Sequence, residues 1–106
     1  MFTINGVVWL LKFVPETDSM LMRRDGSFAL GMCDGNLKTI FIEEKLHGRQ
    51  LKKVLCHELT HAAMFSYGVD LTLEQEEIVA DLIATYGEEI IQMTNQIFHK
   101  LKNERP

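Results

Sequence analysis

Ten residues near the middle of the chain, Val54–Ala63, read V-L-C-H-E-L-T-H-A-A, and no other stretch restricts the fold as much. Leu51, Val54, Leu55, Leu59, Ala62 and Phe65 recur every three or four residues across Arg49–Tyr67. That is the period of an amphipathic helix, and Gly68 stands where its C-cap belongs. On such a helix His57 and His61 are four residues apart and share one face. Two imidazoles one turn apart can take two corners of a tetrahedral zinc site, with Zn–N distances of about 2.0–2.1 Å. Glu58 projects from the adjoining strip, where it can hold and deprotonate a water at the metal without being a ligand. The plainer alternative is a solvated helix carrying two surface histidines and an unrelated glutamate.

The flanking sequence predicts what this helix packs against. Phe2–Val14 is rich in β-branched and aromatic residues, and its Asn5-Gly6 pair favours a tight primed turn, giving a short hairpin or one bulged strand. Pro15 ends it, and the polar segment Glu16–Gly26 reads as a loop in which Met20, Leu21 and Met22 dip toward the core. Ser27–Cys33 and Leu37–Ile42 are two further strand candidates about the turn residues Asp34-Gly35-Asn36, with Phe28, Leu30 and Met32 on one face. After the central helix, Thr72 and Gln75 have capping-box spacing. Ile78, Leu82, Tyr86, Ile90, Met93, Ile97 and Leu101 then mark one long helix weakened at Gly87, or two nearly continuous ones. Lys102–Pro106 is expected to be solvated. The fold class expected is α+β: a small antiparallel sheet of about three strands, followed by two or three helices.

A chain of 106 residues suits a single domain, residues 1–106, with a core of useful size. Its net charge of −4 leaves no broad basic face, so nucleic acid is not an expected partner. No apolar run approaches the 18 or so residues of a membrane span. The short run Val7–Leu11 is cut by Lys12 and has no basic segment ahead of it, so no leader is expected and a cytoplasmic location is. Cys33 and Cys56 fall in apolar settings and read as free thiols. Cys56 adjoins His57 in sequence but points about 100° away on a helix, so it is not counted as a ligand.

Catalytic zinc usually takes three protein ligands and a water. The longer pattern with a third histidine six residues on is absent, because Tyr67 stands there and Met64 occupies the place of its glycine. The remaining candidates are His47, His99 and the acidic group Glu74, Glu76, Glu77 and Asp81. Glu74 and Glu76 have an ordinary role as favourable charges in a helix's first turn. Glu77 and Asp81 share a face: Glu77 can bind the ion while Asp81 accepts a hydrogen bond from the far nitrogen of a bound histidine.

The pair of motifs, His57-Glu58-Leu59-Thr60-His61 and Glu77-x-x-x-Asp81, resembles that of the gluzincin class of zinc metallopeptidases. The pattern spans about Leu37 to Glu89, and the short chain is similar to the minigluzincins and to small metallopeptidase-like proteins of phages and prophages. The resemblance implies a zincin-like fold and a zinc-dependent endopeptidase acting on a peptide or protein. It implies zinc on His57, His61 and Glu77 (Glu76 being the alternative), Glu58 as general base and Asp81 behind a histidine. It also implies a latent alternative, in which residues near the N-terminus or His99–Pro106 lie over the cleft. No residue matches the oxyanion-stabilising tyrosine or histidine of larger members, and Tyr67 and Tyr86 are the nearest candidates. A non-enzymatic interaction module with a vestigial motif is the reading from another class.

Overall fold

The computed structural model describes residues 1–104. Its first element, β1 (Phe2–Ile4), turns back on β2 (Val7–Val14), with Thr3 opposite Val8. The turn is made by Asn5 and Gly6, with φ of 48° and 77°, the left-handed pair that joins twisted strands without splaying them. The chain then leaves the sheet through Glu16–Leu30 and re-enters as β3 (Gly31–Asp34) and β4 (Thr39–Glu43).

The sheet has four strands in the order β1-β2-β4-β3, and it is mixed. β3 runs antiparallel to β4, but β2 and β4 pair in parallel, Leu11 opposite Ile40 and Phe13 opposite Ile42. The expected three-stranded antiparallel sheet is corrected on both counts. The long excursion between β2 and β3 lets β4 return alongside β2 in the same direction, a placement that strand patterning does not encode. Ser27–Cys33 is also shorter as a strand than its alternation implies. Residues 22–28 close on themselves first, through a Met22–Phe28 bridge and an Asp25 carboxylate that accepts from the Ser27 N–H and hydroxyl. Phe28, Leu30 and Met22 are consequently exposed, and Leu21 alone of its trio is fully buried.

Strand β4 is the centre of the core, with all five residues buried. Ile40 and Ile42 pack with Trp9 of β2 and Ala62 of the helix α1 (Gly48–Ser66). Excluding a side chain of this size from water contributes about 1.5–3 kcal/mol. The α1 C-terminal end is tied to the sheet by polar contacts as well. The Trp9 indole N–H donates to the Ser66 hydroxyl at 2.8 Å, and the Asn5 amide donates to the Ser66 carbonyl at 3.0 Å.

Helix α2 (Leu73–Leu82) opens with the full capping box: the Thr72 hydroxyl accepts from the Gln75 N–H, and the Gln75 side chain accepts from the Thr72 N–H. At Ile83–Gly87 the helix widens into a single π turn and continues as α3 (Glu88–Glu104). The weak point expected at Gly87 is therefore a change of helical winding. The apolar stripe expected along this helix is uncovered, every one of its residues being exposed; Ala80, which is not part of it, is the one buried residue of α2, and α3 buries none. Lys102–Glu104 is exposed helix, and the last two residues of the segment expected to be solvated lie outside the described residues. No helix among the described residues is long and apolar enough to cross a membrane. Both cysteines are free.

Candidate metal centre

The site lies where α1 and α2 face each other beneath the edge strand β3. His57, Glu58 and His61 are presented by α1, and Glu76, Glu77 and Asp81 by α2. His57 Nε2 is 3.2 Å from one oxygen of the Glu77 carboxylate, and His61 Nε2 is 2.8 Å from the other. The two Nε2 atoms are 3.2 Å apart. The outer nitrogens are engaged separately: His57 Nδ1 lies 3.0 Å from an Asp81 oxygen and His61 Nδ1 2.6 Å from a Glu76 oxygen.

A neutral imidazole donates from one ring nitrogen and accepts at the other. A carboxylate can only accept, so each Nδ1 carries the proton it donates, to Asp81 and to Glu76. In neutral rings with the protons held there, both Nε2 atoms turn lone pairs toward each other and toward the Glu77 carboxylate. Such a set of acceptors is mutually repulsive unless a cation lies among them. The spacing fits one: two nitrogens each about 2.0–2.1 Å from a tetrahedral ion are roughly 3.3 Å apart. His57, His61 and Glu77 form a group able to hold a metal ion, with ligand atoms all within 4.8 Å of one another.

The other candidates fall elsewhere. His47 stands at the N-cap position of α1 without a side-chain capping bond, its ring near the Lys45 carbonyl, His99 sits on exposed α3, and Glu74 lies in the first turn of α2; none joins the group. Tyr67 and Tyr86 are exposed and outside it. Sequence reasoning set Glu76 down as a helix-dipole charge or a substitute ligand and missed its contact with His61. A signal was present: each of two ligating histidines needs a partner for its outer nitrogen, and Asp81 can serve only one.

Glu58 occupies a different environment from the α2 carboxylates. It is buried, 7% exposed, against β3. Burial raises its carboxyl above the ordinary 4.5, and the Glu77 charge adds to this while the two imidazoles oppose it. Its close approach to the sheet depends on Gly31. A Cβ at that position would stand 2.8 Å from Val54 Cγ1 and 2.9 Å from Glu58 Cγ, inside the 3.5–4.0 Å of ordinary carbon contacts.

A cavity of about 370 Å³ opens over these residues. Met32 and Cys33 of β3 form one wall, Leu73, Glu76 and Glu77 of α2 the other, and Glu58 and His61 the floor. Neither His99 nor any residue of β1, which lies at the opposite edge of the sheet, lines it. Comparison with protein-family models, with curated proteins and with solved structures finds no match for this chain.

Proposed function

We propose that the chain is a metal-dependent hydrolase of the zincin type, and specifically a zinc endopeptidase. The observation that carries this is the convergence of two imidazole lone pairs and one carboxylate, with both outer nitrogens held by further carboxylates and a buried glutamate alongside. His57, His61 and Glu77 would hold the ion, and the nitrogen-and-oxygen donor set suits zinc. When bound, the ion supplies a Lewis acid at which a water is acidified and a carbonyl polarised. Asp81 and Glu76 keep the proton on each Nδ1, so that both rings present Nε2 as ligands.

Glu58 is the general base. Its buried setting keeps the carboxyl pKa high enough to take a proton from the attacking water and return it to the departing amine. The substrate is an extended peptide. β3 is an edge strand and forms a wall of the cavity, so its unpaired backbone can add a strand above Glu58. With so small a cavity, side-chain selection by this chain is weak.

The test is zinc-dependent cleavage of a denatured protein or peptide library by the wild type and by Glu58→Gln. Replacement is expected to lower turnover by at least ~100-fold while the metal stays bound. Undiminished cleavage by Glu58→Gln overturns the mechanism. Protein purified without added zinc should carry about one ion per chain, lost in His57→Ala; a metal-free wild type would leave the interaction-module reading.

A further inference from the structure

We propose that α3 is a self-association surface, pairing antiparallel with α3 of a second copy of this chain. At 17 residues α3 is about 25 Å long, and none of it is buried. Ile90, Ile91, Met93, Ile97, Phe98 and Leu101 are 43–64% exposed. At 100° per residue they fall within one arc of about 160°, and every charged residue of the helix except the last, Glu104, falls outside it. The arc turns away from the body, since Glu88, Glu89 and Gln92 of the polar strip line the groove against Arg49 and Lys52 of α1. These six side chains leave roughly 600 Å² of apolar surface per chain in water, near the upper end for a monomer and approaching the ~800 Å² per partner of a stable interface.

The charges bordering the arc select the occupant and its direction. Both acidic residues at the start of α3, Glu88 and Glu89, precede the apolar arc, and the basic Lys100 and Lys102 close it. Glu89 and Lys100 border the same flank, and Glu88 and Lys102 the other. In an antiparallel pair each flank meets itself. A two-fold axis beside Thr94 and Asn95 sets Glu89 against Lys100 of the second copy and Glu88 against Lys102. The same axis opposes Ile90 to Leu101, Ile91 to Phe98 and Met93 to Ile97. One register thus satisfies the apolar and the charged pairs together. A parallel pair would bring like charges side by side. Glu88 is already paired with Lys52 at 3.0 Å, so the Glu89–Lys100 flank carries the charge argument. Neither of those two has an ion-pair partner among the described residues.

Sedimentation equilibrium between about 1 and 100 µM tests this on the whole chain. The wild type is expected to dimerise in that range. Ile97→Asp, on an exposed face, should weaken dimerisation by ~100-fold or more. Glu89→Lys and Lys100→Glu should each weaken it by ~10-fold, and the double reversal should return it to within about 3-fold of wild type. A chain monomeric throughout overturns the proposal, as does a dimer indifferent to Ile97→Asp. A double reversal no better than either single change overturns the antiparallel register. Binding of the monomer to anionic vesicles in place of dimerisation assigns the face to a membrane surface and also overturns it.

Discussion

Gly31→Ala is the change most informative about how the site is assembled. Gly31 is not among the residues with positive φ, so alanine meets no backbone strain there and would gain about 0.5–1 kcal/mol from reduced chain entropy. Against this stands a methyl that must enter at 2.8 Å from Val54 Cγ1 and 2.9 Å from Glu58 Cγ. Restoring ordinary contact requires α1 and β3 to separate by several tenths of an ångström, and overpacking of this kind costs about 1–3 kcal/mol. The net expectation is a loss of about 1–2 kcal/mol, or roughly 5–15 °C in Tm for a chain of this size. Thermal unfolding followed by circular dichroism measures it, in a cycle with Val54→Ala. Because Val54→Ala removes one of the two obstructing groups, the double variant should be more stable than the sum of the single losses by about 0.5–2 kcal/mol. Zinc affinity should fall less than peptide cleavage, since the methyl's nearest neighbours are Val54 and Glu58 rather than His57, His61 or Glu77, while cleavage falls as Glu58 is displaced. Additive losses, or an unchanged Tm, would refute the claim that Gly31 exists to let the helix approach.

Ser66→Ala should cost about 1–3 kcal/mol in urea unfolding, because it orphans the N–H of a fully buried Trp9; a loss below 0.5 kcal/mol would mean that the indole finds another acceptor. Glu76→Ala and Asp81→Ala should each weaken zinc binding by ~10–100-fold in competition titrations with a chromophoric chelator, Glu76 the more because its contact is shorter and less exposed. Equal affinity in all three proteins would remove both carboxylates from the site. Cys33 should react slowly with a disulfide reagent at pH 8, since burial, aided by the charges of Glu58, Glu76 and Asp34, pushes its thiol from 9.0 up to about 12. The folded pKa lies above the unfolded one, so this stabilisation is complete at neutral pH and is lost as the pH rises from about 9 toward 12. A rate matching that of the urea-unfolded chain would show the thiol to be open to solvent.

Local signals were legible where the physics is local. The period of Leu51–Phe65 produced α1 to within a residue at each end, and the Thr72–Gln75 pair formed its capping box. Asn5-Gly6 made the tight turn that positive φ permits. Long-range choices were not legible. Nothing in Val7–Val14 or Thr39–Glu43 says that they pair in parallel, because a strand's side chains alternate identically whichever neighbour it takes. The stripe from Ile78 to Leu101 shows the same periodicity as α1 and yet is uncovered, since periodicity records an apolar face and not what lies against it.

The sequence by itself determined that His57 and His61 would share a face and that Glu77 and Asp81 would share another, because both pairs are fixed by the pitch of a single helix. Only the tertiary structure decided that these faces meet, that Glu76 reaches His61 from behind, and that Gly31 admits Glu58 beneath the edge strand. Each of those contacts joins residues at least 15 apart in the chain, and is set by how α1, α2 and the sheet pack rather than by any spacing within one element.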